Sequence, residues 1–460
     1  MKLFFFVAVV SGLLRASLPA QPAAPLATAR EVERIAATGP FWPGFDPLAT
    51  PLAIYDGKST WLFRHPNPPS DFQPSSISSI RSHVREGRHP AVTANSSADI
   101  GGVMTATLLA DGSRAGARLR AVDSASALAA TAIHESFHVF QRNHHPHWQA
   151  NEADLFLYPV DDASLLALRR LESEALRQAL AAATSSRAAC LGRLTIDYRA
   201  KRFAAMDSAF STYERDTELN EGLATYVELR ALGRTTVEIP VGEFAAVDVR
   251  QRSYTIGAGI AFLLDGIRPQ WQQSLEAHDR QRLDEILAGA LVGAAESPAE
   301  GCALPNDQVA QIIEVARRDA GSVATSRVAR RKAFDSSRGW RVTVIAFGSQ
   351  PLRARGFDPL NIERVEGGLL HTRFLHLENN RCRVTAIDEG RVDIIALTEG
   401  LGSHPLFNGV RRVVIAGPAS PVVSTDGDRV SIDTNGLQLE CTGARIDVRP
   451  SEVIITLMLP

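Results

Sequence analysis

Hydrophobic residues change their spacing along this chain, and the changes mark out its parts. Short strand-like runs at 51–55, 60–63 and 103–109 sit among Pro and turn residues, predicting a small sheet-containing lobe over 21–121. From Asp123 to about Ser337 the period is helical. In 162–183, Leu165, Leu168, Leu171, Ala175 and Ala179 share one face. Further helices fit 217–232, 254–267, 280–292 and 307–319, with Gly233, Pro269 and Pro305 as stops or starts. Beyond Trp340 the apolar positions alternate in β-branched runs such as WRVTVIAF, LLHTRFLHL, RCRVTAI and EVIITLML, separated by Gly, Asn, Asp and Ser. That is the pattern of an all-β sandwich or barrel. The expected fold class is α+β: the lobe at 21–121, a mainly helical lobe at 122–337 and a β-sandwich-like domain at 338–460. A chain of 460 residues is too long for one core.

The N-terminus changes the picture of where the chain works. Met1-Lys2, the apolar run 3–14 and the small residues 16–20 read as a signal segment ending at Ala20, which implies a secreted or periplasmic protein. That run is shorter than the ~20 residues of a spanning helix. The stretch 256–267, interrupted by Asp265, reads as a buried helix, so no membrane span is expected after signal removal. A net charge of −2 and the absence of a basic face argue against a nucleic-acid partner; the basic run 327–332 reads as an exposed helix end. Four cysteines in an exported chain suggest two disulfides. The simplest connectivity joins Cys190 to Cys302 and Cys382 to Cys441, one pair in the helical part and one in the β part.

Candidate chemistry centres on AATAIHESFHVFQR, 129–142. On a helix, His134 and His138 are four apart and project from one face. This is the H-E-x-x-H arrangement that holds zinc through two imidazoles with a carboxylate, here Glu135, beside the metal. Ala125 to Ala132 are helix formers, and Ile133, Phe137 and Phe140 supply an apolar face. A catalytic zinc takes three protein ligands. The best third candidate is Glu221 in TELNEGLATYVE, 217–228, at the border of the stripe Leu219, Leu223 and Tyr226. Glu172 and Glu174 are rivals, but they lie on a charged helix face that reads as solvated surface; Glu218, one turn before Glu221, is another outsider. His144, His145 and His147 read as loop or supporting residues. His371 and His376, five apart on one expected strand, would face opposite sides and are read as structural.

HESFH followed by LNEGLATYVE resembles the gluzincin metallopeptidases, and its second helix is closer to the aminopeptidase-N-like branch than to thermolysin. The resemblance implies a zincin-like catalytic unit, a Zn(2+) held by His134, His138 and Glu221, and Glu135 as general base. Gly101-Gly102-Val103-Met104-Thr105 stands where that branch carries its substrate-binding edge strand, with a Gly-x-Met-Glu-Asn pattern, which implies substrate contacts at Gly101, Gly102 and Met104. Ser253 to Ala258 resembles the Tyr-x-x-Gly segment whose tyrosine, here Tyr254, steadies the oxyanion. The likeness covers roughly residues 99–268 and departs from the family in two places. Residues 139–220 separate His138 from Glu221, against a short spacer in the family, so a helical insertion at about 144–211 must loop out. Thr105 and Ala106 stand where the family has the Glu that holds a free α-amino group and its Asn neighbour, so the implied activity on a peptide or protein is internal cleavage. Two other functions share these residues. One is zinc-dependent hydrolysis of a non-peptide amide; the other is a catalytically lapsed zincin serving as a binding protein, against which the intact Glu135 argues.

Overall fold

The N-terminal helix α1 (Ala24–Ala36) buries Leu26, Ala29, Val32 and Ile35. No helix is expected here, in a stretch rich in Pro and turn residues. Pro25 in fact occupies the first helical turn, where a missing N–H costs nothing. The computed structural model describes residues 24–76, 80–110, 124–242, 244–278, 280–292, 302–358, 361–387, 395–401, 404, 406–417, 420–434 and 436–458. The expected signal segment lies outside them. The chain forms two units, residues 1–146 with 227–235 and residues 147–226 with 236–460.

In the first unit, β1 (Leu52–Tyr55), β2 (Ser59–Phe63), β3 (Gln73–Pro74), β4 (Ser82–Glu86), β5 (Ser96–Ile100) and β6 (Val103–Leu109) build one sheet in the order β3-β4-β2-β1-β6-β5. Helix α2 (Ser124–His144) packs on α1, β5 and β6. Its apolar side is fixed by Trp42 and Phe45, whose rings meet Phe137 edge-on at 5.6 and 5.1 Å. That anchoring sets the direction of the histidines on the adjoining side.

The second unit contains α3 (Glu152–Leu155), α4 (Ala163–Leu180), α5 (Ser185–Ala204) and α6 (Ser208–Thr217). A π-helical turn, Glu218–Gly222, follows and runs without a break into α7 (Leu223–Ala231). The division between units falls inside this continuous stretch, after Tyr226. Then come α8 (Val249–Ile267), α9 (Trp271–Ala277), α10 (Leu283–Val292) and α11 (Asn306–Asp335). Helix α4 is capped by Asp162, whose carboxylate accepts from the backbone of Ser164 and Leu165. Helix α11 runs well past the expected 307–319. The basic run 327–332 is therefore inside it, with Arg327 on Asp161 and Arg330 on Glu363.

From Trp340 the described chain is all β, as the alternating pattern predicts. Seven strands form one sheet and six another. Val342, Val344, Leu369, Val413 and Ile455 of the first share a buried cluster with Leu377, Val384, Ile432 and Leu439 of the second. The single strand expected to carry both His371 and His376 is corrected: His371 ends Gly368–His371 in one sheet, and His376 lies in Phe374–Glu378 of the other. Thr372 and Arg373 turn the chain between them. Both expected cysteine pairs are present, with Cα atoms 5.7 Å apart for Cys190 and Cys302 and 4.0 Å for Cys382 and Cys441. Among the described residues no helix is long and apolar enough to cross a membrane.

Candidate metal centre

Helix α2 brings the Nε2 atoms of His134 and His138 to 3.1 Å from each other. The opposite ring nitrogens are already engaged. His134 Nδ1–H donates to Glu228 Oε2 at 3.1 Å, and His138 Nδ1–H donates to Gln141 Oε1 at 2.8 Å. A carboxylate and an amide oxygen only accept, so the protons sit on Nδ1 and the Nε2 lone pairs face one another. Two lone pairs at that distance repel unless a proton or a metal ion lies between them. Glu221 completes the set: the ligand atoms of His134, His138 and Glu221 all lie within 4.8 Å of one another. Two neutral imidazoles and a carboxylate suit zinc, so the residues present fit the metal that the motif implies.

Glu228 carries no assigned role in the sequence reading. It lies seven residues, two turns, beyond Glu221 and also accepts from Thr131 Oγ1 at 3.3 Å. A carboxylate on the outer nitrogen of a ligating histidine fixes its tautomer and ring orientation and raises its basicity. The seven-residue spacing was the available signal.

Glu221 rides on the π-helical turn, which a close backbone crossing holds against α8. A Cβ on Gly222 would stand 2.7 Å from Gly257 Cα, and one on Gly257 would stand 2.8 Å from the Glu218 carbonyl oxygen. Only glycines allow this approach. It sets Tyr254, one turn before Gly257, against Glu221. The phenol bonds to the Glu221 carboxylate; burial first, then that negative charge, pushes the Tyr254 pKa well above its ordinary value. Arg250, one turn earlier again, donates from Nη2 to Glu221 Oε1 at 3.1 Å and from Nε to Glu152 Oε1 at 3.2 Å, with its guanidinium 5.2 Å above the Tyr254 ring. Arg250 and Tyr254 thus orient Glu221. Nothing in the sequence pattern singled out Arg250.

Glu135, next to His134 in sequence, is buried on α2. Gly101 and Gly102, at φ of 60° and 80°, make the two-residue turn between β5 and β6, a turn that requires positive φ at both positions. Met104 follows in β6 opposite Asp99, and its sulfur is 3.5 Å from Arg142 Nη1 of α2. The edge position expected for this strand is corrected. β6 is paired on both sides, by β1 and β5, and among the described residues the outer strand on that side of the sheet is β5. The hairpin turn at Gly101-Gly102 folds β5 back along β6 and covers that edge.

The rival carboxylates are engaged elsewhere, and the solvated face expected for two of them is corrected. Glu172 is fully buried against Arg199, Arg202 and Arg252, and Glu174 is buried with Arg177, Gln178 and Gln308 on its oxygens. Arginines from other helices enclose Glu172, while Glu174 is held by Arg177 and Gln178 of its own helix and by Gln308 of α11. Glu218 is bound by Arg199. His144 stacks on Phe140 at 4.3 Å, His145 is buried and His147 is exposed. The chain gives no match to any protein-family model, to any curated protein or to any solved structure.

Proposed function

We propose that the chain is an exported zinc metallopeptidase of gluzincin type that cleaves peptides internally. The observation that supports a metal here is the approach of the His134, His138 and Glu221 ligand atoms to within 4.8 Å of one another, with both Nδ1 atoms engaged; the gluzincin type rests on the resemblance of HESFH and LNEGLATYVE alone. Three such ligands leave a coordination position open, and a zinc bound there would polarise a carbonyl and lower the pKa of water to about 7. Glu135 accepts a proton from the attacking water and returns it to the leaving nitrogen. Tyr254 donates its O–H to the developing oxyanion by exchanging its bond to Glu221, a contribution typically worth about 2.7–4 kcal/mol.

An extended substrate pairs through its backbone with the outer strand β5, on which α2 packs. Thr105 is uncharged and buried. An α-ammonium drawn into a cleft needs a carboxylate partner, and this position supplies none, which favours internal cleavage. The cysteine pairs suit an oxidising compartment.

Metal analysis of the mature protein, with peptide-library digestion before and after chelation, tests the proposal. One zinc per chain and chelator-sensitive cleavage are expected; a protein that takes up no metal, or cleavage indifferent to chelation, refutes it. Digesting a peptide beside its N-acetylated copy tests the internal mode, and a strong preference for the free amine refutes that part.

A further inference from the structure

Six buried charges form a closed network beside the π-helical turn: Glu172 of α4, Arg199 and Arg202 of α5, Glu214 of α6, Glu218 of the turn itself and Arg252 of α8. Arg199 grips both oxygens of Glu218, at 2.7 and 2.6 Å, and reaches Glu172 Oε1 at 3.0 Å. Arg202 and Arg252 each bridge Glu172 and Glu214. Three positive charges meet three negative ones. Burial opposes ionisation of Glu214, but Arg202 and Arg252 hold its pKa down at about 2. Apolar side chains of the same volume would serve packing as well or better, so the network's value lies in the geometry it imposes.

That geometry ends at Glu218, three residues before Glu221. In a regular α-helix, residues i and i+3 lie on one face, and the two carboxylates would point the same way. Here one enters the network and the other joins the histidines. The widened i→i+5 turn separates them; such turns are rare and cluster at functional sites. This one is pinned at both ends, by Arg199 on Glu218 and by Gly257 against Gly222. Glu172, Arg199 and Arg202 all come from the 144–211 insertion.

We infer that this insertion is the positioning device for the third metal ligand: the Arg199–Glu218 clamp fixes the π-helical turn and so turns the Glu221 carboxylate toward His134 and His138. The inference rests on the metal reading above.

The test uses the full mature chain. Zinc affinity is measured by competition with a chromophoric chelator, the visible absorption of the cobalt(II)-substituted protein reports ligand geometry, and thermal unfolding of the metal-free form reports the fold. Glu218→Asp keeps the network neutral but shortens its reach. The pair R199M/E218L replaces the clamp by apolar side chains, an exchange that buried ion pairs commonly tolerate. Both are expected to weaken zinc ~10–100-fold, as loss of groups that orient a ligand does, and to change the cobalt spectrum. Tyr158→Phe, which touches Glu214 and Arg202 at the far side of the network, should lower thermal stability and leave zinc affinity unchanged. Wild-type affinity and spectrum in both clamp variants overturn the inference. So does an equal loss of zinc in Tyr158→Phe, or failure of both clamp variants to fold, either of which marks the network as scaffold only. Wild-type protein that binds zinc, with Glu221→Ala losing it and the clamp variants keeping it, refutes the positioning role and leaves the metal reading standing; wild-type protein that takes up no zinc refutes both.

Discussion

Replacing Gly257 by alanine probes the crossing on which the centre is built. The new methyl would stand 2.8 Å from the Glu218 carbonyl oxygen, 2.9 Å from Gly222 Cα and 3.0 Å from Glu218 Cα. These are backbone atoms of a packed turn, and none can swing aside as a side-chain tip does. To restore an ordinary 3.4 Å contact, Gly222 Cα would have to recede by about half an ångström. Overpacking of this kind costs ~1–3 kcal/mol, while alanine in a helix returns ~0.4–1 kcal/mol by restricting the unfolded chain. Gly266 supplies the control, since it lies in the same helix with nothing within 4 Å of its added Cβ. Gly266→Ala should be neutral or stabilising; the gain from alanine is common to both, so the two variants should differ by the overpacking cost, ~1–3 kcal/mol. Urea unfolding of the metal-free proteins, followed by tryptophan fluorescence, measures the difference. A zinc titration should show weaker binding in Gly257→Ala alone, because the displaced turn carries Glu221. Equal stability of the two variants, together with wild-type zinc affinity in both, would refute the crossing as the constraint.

Glu135→Gln should retain zinc and the fold while losing nearly all hydrolysis; substantial residual turnover in a peptide assay means another base. Glu228→Gln should weaken zinc ~10–100-fold by removing the carboxylate from His134 Nδ1, and an unchanged dissociation constant counts against that role. Glu221→Ala should lose zinc while Glu174→Ala keeps it, as measured by metal analysis after gel filtration. In the β region, burial holds the His371 pKa down to about 3. Its unfolded value is ~6.5, so from about pH 6.5 down to 3 the unfolded chain binds a proton that the native state does not. Native stability should therefore fall as pH drops through that window, by up to ~1.4 kcal/mol per unit. His371→Asn should flatten this slope in urea titrations from pH 7 to 5; parallel slopes in the two proteins would exclude His371 as its source.

Local information made the first half of the centre legible. His134 and His138 stand four apart within a run of helix formers, so their convergence follows from one helix and needs no tertiary contact. Glu221 was reachable because its helical stripe and its NEG sequence are both short-range. The surrounding groups were not, because each depends on a partner distant in the chain. Glu172 reads as solvated until Arg199, Arg202 and Arg252 arrive from helices that begin well beyond it. The π-helical turn leaves no mark in a periodicity of 3.6, and the meeting of Gly222 with Gly257 joins two segments whose order in sequence says nothing of their approach. In the β region, alternation identified strands but could not say that Thr372 and Arg373 divide one run between two sheets.

The cysteine pair of the β region bears on how this chain can change over time. Cys382 and Cys441 face each other in register on neighbouring antiparallel strands, both buried. Losing one alone would leave its partner as a solitary thiol, which in an oxidising compartment is open to oxidation or to capture by other chains. Losing both at once, to a pair such as valines, would keep an apolar cross-strand contact at the same place. A single replacement is therefore the unfavourable step, and the two positions are expected to change together.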